Sequence, residues 1–256
     1  MAAVVAAGRR VLPRGWTDFG RQLAIWFGFY VAYFGARSFA DRNPAQAFWN
    51  GWRVLSFEQR TTHDIVETTT QQVVASSHAL LTAAAWTYWN SEFTVVGLAL
   101  LFVYVRHHER FARFRNTVLL ANVLGLVGYV VWPTAPPWMF TTYFQGGVNH
   151  SNGVLAALAN PYAAMPSLHA ADALIVGVFL VSLSRRWWAK ALWALWPAWV
   201  WFCVLATANH FLLDVLAGIC VAILSIVVVR QAPTVMGAFR RGSPVEQTRA
   251  PETAAR

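Results

Sequence analysis

His169 closes a polar, proline-punctuated stretch, Pro161-Tyr162-Ala163-Ala164-Met165-Pro166-Ser167-Leu168-His169, at the point where a long apolar run begins. Further on, Asn209-His210-Phe211-Leu212-Leu213-Asp214 stands at the mouth of another apolar run. Each half has a plain structural reading. Ser167 suits the cap of a helix start, and His210 and Asp214, at i and i+4 spacing, suit one helical face. Together they are two imidazoles and a carboxylate where hydrocarbon meets water, and ionisable groups there are functional by default. One histidine with an unprotonated nitrogen can attack as a nucleophile while a carboxylate fixes its tautomer. A second histidine can donate a proton near neutral pH.

The elements that must position these residues are membrane helices. Of 256 residues, 57% are hydrophobic and 12% charged, too apolar for an ordinary soluble domain. The fourteen tryptophans and seven tyrosines suit an interfacial aromatic belt. The net charge of +9 comes from short basic clusters between apolar runs, which topology explains better than a nucleic-acid surface. Cys203 and Cys220 lie inside apolar segments and suggest no disulfide framework.

The expected architecture is all-α: a polytopic bundle of six spans, near residues 23–36, 93–105, 118–132, 171–183, 192–206 and 212–229, with an additional interfacial helix over 73–89. The first span has no convincing cleavage site and reads as uncleaved. Domain boundaries follow: a cytoplasmic tail over 1–15, a catalytic membrane domain over 16–231 and a disordered cytoplasmic tail over 232–256. Under the positive-inside rule both termini and the basic loops at Arg106–Arg115 and Arg185–Lys190 are cytoplasmic, so the two histidine stretches emerge together on the outer face of the cell membrane.

Pro-Ser-x-His before one span and His-x-x-x-Asp opening a later one resemble the type 2 phosphatidic acid phosphatase superfamily. Trp132-Pro133-Thr134-Ala135-Pro136-Pro137 is similar to the Pro-x-Ala-Pro-Pro element of its inositol phosphorylceramide synthase-like branch. The resemblance implies that His210 is the nucleophile, forming a phosphohistidine, that Asp214 holds its other ring nitrogen and that His169 protonates the leaving oxygen. It further implies a lipid phosphate or phospholipid substrate and no cofactor or metal. The phosphoryl group would pass to water or to an alcohol. A non-catalytic channel or transporter would instead spread polar residues through its spans. Those over 192–206 and 212–229 are nearly free of charge apart from Asp214.

The superfamily's phosphate clamp does not carry over. Trp138 follows Pro-Pro where branch members often have arginine, and Cys203-Val204 stands where Ser-Arg is expected. The outer-side arginines are then Arg37, Arg42, Arg53 and Arg60, and the phosphate-binding candidates are Ser167, Asn209, Arg37, Arg53 and Arg60. Asp172, one turn from His169, is expected to hydrogen-bond it or to face the cavity. His107 and His108 lack partners at metal-ligand spacing, His63 and His78 read as surface residues, and Asn149-His150-Ser151 is a weak glycosylation sequon.

Overall fold

A computed structural model describes residues 12–40, 43–144 and 162–241 of the protein, the side chains of 34, 36–40 and 233–241 excepted. Its helices are α1 (Gly15–Ala40), α2 (Pro44–Thr62), α3 (Val66–Ala75), α4 (His78–Asn90), α5 (Val96–Arg106), α6 (His108–Val131), α7 (Leu168–Leu183), α8 (Trp187–Ala206) and α9 (Leu212–Arg241). A π-helical turn, Ser91–Val95, joins α4 to α5. Among the described residues, four helical stretches are long and apolar enough to cross a membrane: His78–Arg106, His108–Val131, Trp187–Ala206 and Leu212–Ala232. Helix α7 is apolar but shorter, at 16 residues.

The expected interfacial helix over 73–89 is replaced by two helices divided at Ser76-Ser77. Val74 ends buried in α3, and Ser77 opens α4 by accepting a hydrogen bond from the Leu80 amide. Nor does the polar patch Tyr88–Glu92 end a helix: α4, the π turn and α5 run on as one stretch, His78–Arg106. The patch can stay helical because its polar groups find partners close by. Asn90 donates to the Trp86 carbonyl, Ser91 to the Tyr88 carbonyl and Thr94 to the Asn90 side chain. The wider π turn re-aims the residues it carries, and such turns recur at functional sites.

Helix α7 lies at the centre and packs against α6, α8 and α9. One side buries Ala171, Ile175 and Val176 with Val103, Phe114 and Val118 from α5 and α6. The other buries Ala170 and Ala173 against Val200, Val204 and Val215 from α8 and α9. A helix apolar all round is one surrounded by others. Its N-terminal end is met by irregular backbone whose polar groups are satisfied within the protein. Thr134 and Ala163 form an isolated parallel bridge, with Thr134 N–H donating to Tyr162 and Ala164 N–H to Thr134. Asn50 of α2 donates to the Pro133 carbonyl at 2.8 Å, and the Ala135 amide donates to Ala47.

Close approach at this end depends on glycine. A Cβ at Gly51 would lie 2.7 Å from the Ala135 carbonyl oxygen, and one at Gly218 of α9 would collide with the Ser167 carbonyl. Gly218→Ala must therefore push α9 away from the start of α7, an overpacking cost of about 1–3 kcal/mol. The expected result is a lower thermal unfolding midpoint in detergent, and an unchanged midpoint would show that the contact can relax.

Candidate active site

The chain leaves α8 in a tight turn in which the amides of Asn209 and His210 both donate to the Val204 carbonyl, with Ala208 in the left-handed region at φ 55°. This turn seats His210 in the interior, 5% exposed. Its Nδ1 lies 2.9 Å from the Ala164 carbonyl oxygen. A carbonyl can only accept, so Nδ1 carries the proton and, in the neutral ring, Nε2 keeps its lone pair. Asp214 Oδ2 is 3.7 Å from the same Nδ1 and accepts the Phe211 amide at 2.8 Å. The tautomer is therefore fixed first by the Ala164 carbonyl. Asp214 Oδ2 stands slightly farther off, buried at the start of α9.

His169 sits in the first turn of α7, after Ser167, whose hydroxyl accepts the Ala170 amide at 3.3 Å as the helix cap. The Ser167 amide donates to the Asp214 carbonyl at 2.9 Å, which ties the start of α7 to the start of α9. The His169 and His210 ring centroids are 5.5 Å apart. His169 also stacks on Tyr88 with centroids 4.6 Å apart, and its Nε2 faces Glu92 Oε2 at 3.2 Å. Sequence reasoning passed over Glu92. The signal for it was an acidic residue within an apolar run that the π turn delivers to the site.

Two further carboxyls come from α2 and α3. Glu67 Oε1 accepts the Leu212 amide at 2.7 Å and Glu58 Oε1 accepts the Leu213 amide at 2.6 Å. They thus take up two of the free amides that open α9, the helix carrying Asp214. Both are buried, and their Oε2 atoms meet no N–H or hydroxyl donor. The two side chains hydrogen-bond each other, which requires one of them to keep its proton. Burial, then the adjacent Glu67, pushes the Glu58 carboxyl up to about 9, and burial raises Glu67 too.

The structure brings His169, His210, Asp214 and Ser167 together and distributes the other candidates more widely. Asn209 is buried beside His210, but its amide donates to the Thr207 hydroxyl at 2.7 Å, leaving Oδ1 unpaired. Arg53 lies over the Trp132 ring, 5.1 Å from its centroid, and Arg60 donates to the Ser56 carbonyl of its own helix. Neither guanidinium is brought to the two histidines. The Arg37 side chain and Arg42 lie outside the described residues, as does the sequon at Asn149. Asp172 does not hydrogen-bond His169; it is buried and accepts from Asn122 Nδ2 at 3.1 Å on both oxygens. His107 and His108 join no metal-binding cluster among the described residues. His63 takes the left-handed conformation at the end of α2, φ 57°, and His78 is exposed at the start of α4.

The sequence model of the PAP2 superfamily matches residues 52–228. Phosphoinositol dihydroceramide synthase of Bacteroides thetaiotaomicron is 31% identical over 155 residues, 53% of this chain and 50% of the relative. The chain thus spans about half the length of that curated protein. A crystal structure of Aquifex aeolicus LpxE matches with a TM-score of 0.48 and 17% identity, covering 64% of this chain and 93% of the other.

Proposed function

Because the chain belongs to the PAP2 superfamily, we propose that it is a membrane lipid phosphotransferase that works through a phosphohistidine. The observation that carries this reading is the pair of imidazoles 5.5 Å apart, one with Nδ1 committed to the Ala164 carbonyl and Nε2 left for attack. His210 Nε2 forms a bond to phosphorus as the ester bond to the leaving oxygen breaks. Protonated His169 gives that oxygen its proton. An incoming alcohol then gives its own proton to His169 and attacks the phosphohistidine, releasing His210. Water in place of the alcohol makes the same site a phosphatase.

An alcohol acceptor is favoured by the similarity to a phosphoinositol dihydroceramide synthase and by Pro133-Thr134-Ala135-Pro136-Pro137. The phosphate oxygens meet the N-terminal end of α7, whose first-turn amides and dipole favour an anion. In this reading α1 and α7 complete six crossings with the four longer stretches, and the basic loops hold the opposite end of the bundle in the cytoplasm. The reaction then takes place at the outer leaflet. The purified protein, incubated with panels of phospholipids and polyprenyl phosphates with and without alcohol acceptors, is expected to form a transfer product as well as free phosphate. Absence of both products across the panels would sink the proposal.

Glu92 has a positioning role in this scheme. Its carboxylate lies 3.2 Å from His169 Nε2 and stabilises the imidazolium before the leaving oxygen takes its place. Glu92→Gln is expected to lower kcat by about 10–100-fold, part of the general-acid contribution, and to move the alkaline limb of the pH profile to lower pH. A lowered kcat with an unmoved pH profile would assign Glu92 a purely structural role.

A further inference from the structure

An apolar crevice of about 360 Å³ runs between α1 and α5, and one of its polar lining residues is Glu92, the residue that meets His169. From Glu92 it follows α5 to Tyr104, a helical path of roughly 18 Å at 1.5 Å per residue. Each end is bridged by an aromatic pair, one reaching from α1 to the π turn and the other from α1 to α5. Tyr30 stacks on Phe93 beside Glu92, centroids 6.1 Å apart, and Phe19 meets Tyr104 at 5.7 Å at the far end. The far end is also tied by polar bonds: the Tyr104 hydroxyl donates to Asp18 at 3.0 Å, and Arg115 donates to Gln22. Between the ends the walls are open to the side, where Leu23 is 55% and Leu101 46% exposed.

We infer that this crevice holds one hydrocarbon chain of the phosphate-bearing lipid, with the phosphate at His169 and His210 and the chain descending along α5. The assignment rests on the lipid phosphotransferase reading and adds a specificity site to it. Three observations select this occupant. The crevice is continuous with the catalytic end through Glu92. It runs lengthwise along a helix long and apolar enough to cross a membrane, the direction of a lipid chain whose headgroup sits at one surface. It is apolar and laterally open, so a chain can enter from the bilayer without passing through water.

Gly97 supplies the test. It lines the crevice, and a Cβ built there meets nothing within 4 Å. The first carbon of a side chain at this position meets no neighbour, a large ring beyond it takes up crevice volume, and replacing a glycine inside a helix does not weaken the helix. In Gly97→Trp, kcat/KM for a long-chain lipid phosphate is expected to fall by at least about tenfold relative to wild type, the value of roughly two buried methylenes. For a dihexanoyl analogue it should stay within about twofold of wild type, because that chain ends before position 97. Val127→Trp, on the exposed face of α6 outside the crevice, should keep both activities. Equal loss on both substrates, or loss on neither, would overturn the inference.

A binding measurement separates this inference from the catalytic reading. The full-length protein in nanodiscs is irradiated with a phosphatidic acid carrying a diazirine in its acyl chain, and adducts are mapped by mass spectrometry. Adducts on α5 near Leu100 and Leu101 that disappear in Gly97→Trp support the chain site even if no turnover is found. Adducts elsewhere, or equal labelling by a diacylglycerol bearing the same diazirine, would mean ordinary bilayer lipid and overturn it.

Discussion

His210→Ala is expected to abolish both transfer and hydrolysis, by a factor on the order of 10³ or more, since loss of a nucleophile removes the covalent path altogether. His169→Ala should differ in kind. It leaves Nε2 of His210 intact and removes the proton donor, so its cost depends on the leaving group. With an alkoxide leaving group the loss should be about 10²–10⁴-fold, the usual worth of general acid catalysis. With an aryl phosphate, whose phenolate leaves without a proton, much of the activity should return. A radiolabelled phosphohistidine trapped in wild type and in His169→Ala, and missing from His210→Ala, would assign the roles. Label retained in His210→Ala would overturn them. This separation is possible because the rings are held independently, His210 by the Ala164 carbonyl and His169 by the Tyr88 stack and Glu92.

How far the site was legible depends on how local its signals are. Ser167 before an apolar run encodes a helix cap, and His210 with Asp214 encodes one face of a helix start, so the sequence places these groups at element ends. The residues that support them are distant in the chain. Glu67 reaches the Leu212 amide across 145 positions and Glu58 the Leu213 amide across 155. A buried carboxylate and a solvated one look alike in sequence, and only packing of α2 and α3 against the start of α9 distinguishes them. Glu92 was hidden differently. Its polar neighbourhood, Tyr88–Glu92, resembles a helix break, and the π turn that keeps it helical leaves no compositional mark. Hydropathy located the apolar runs well. It misjudged how the run near 73–105 is divided, because Ser76-Ser77 breaks the helix while the more polar patch does not.

The Glu58–Glu67 pair should set how stability depends on pH. In the folded protein Glu58 holds its proton up to about 9, whereas its ordinary value is 4.5. Between those values the folded state binds a proton that the unfolded chain has released, so stability falls as pH rises through the window. The cause is burial first and Glu67 second. Thermal unfolding midpoints in detergent should therefore decline from about pH 5 to about pH 9, with part of that decline belonging to this pair. Glu58→Gln isolates that part. Its carbonyl oxygen can still accept the Leu213 amide and its NH2 can donate to Glu67, as the protonated acid does, but it cannot titrate. The variant should lose the pair's contribution to the slope and be at least as stable as wild type at alkaline pH. Glu58→Ala leaves the Leu213 amide without its acceptor, at a cost of about 1–3 kcal/mol for the unsatisfied group. It should also lower kcat, because the loosened amide belongs to the first turn of α9, which carries Asp214. If Glu58→Gln kept the wild-type pH slope, or proved as unstable as Glu58→Ala, the pair would not share a proton.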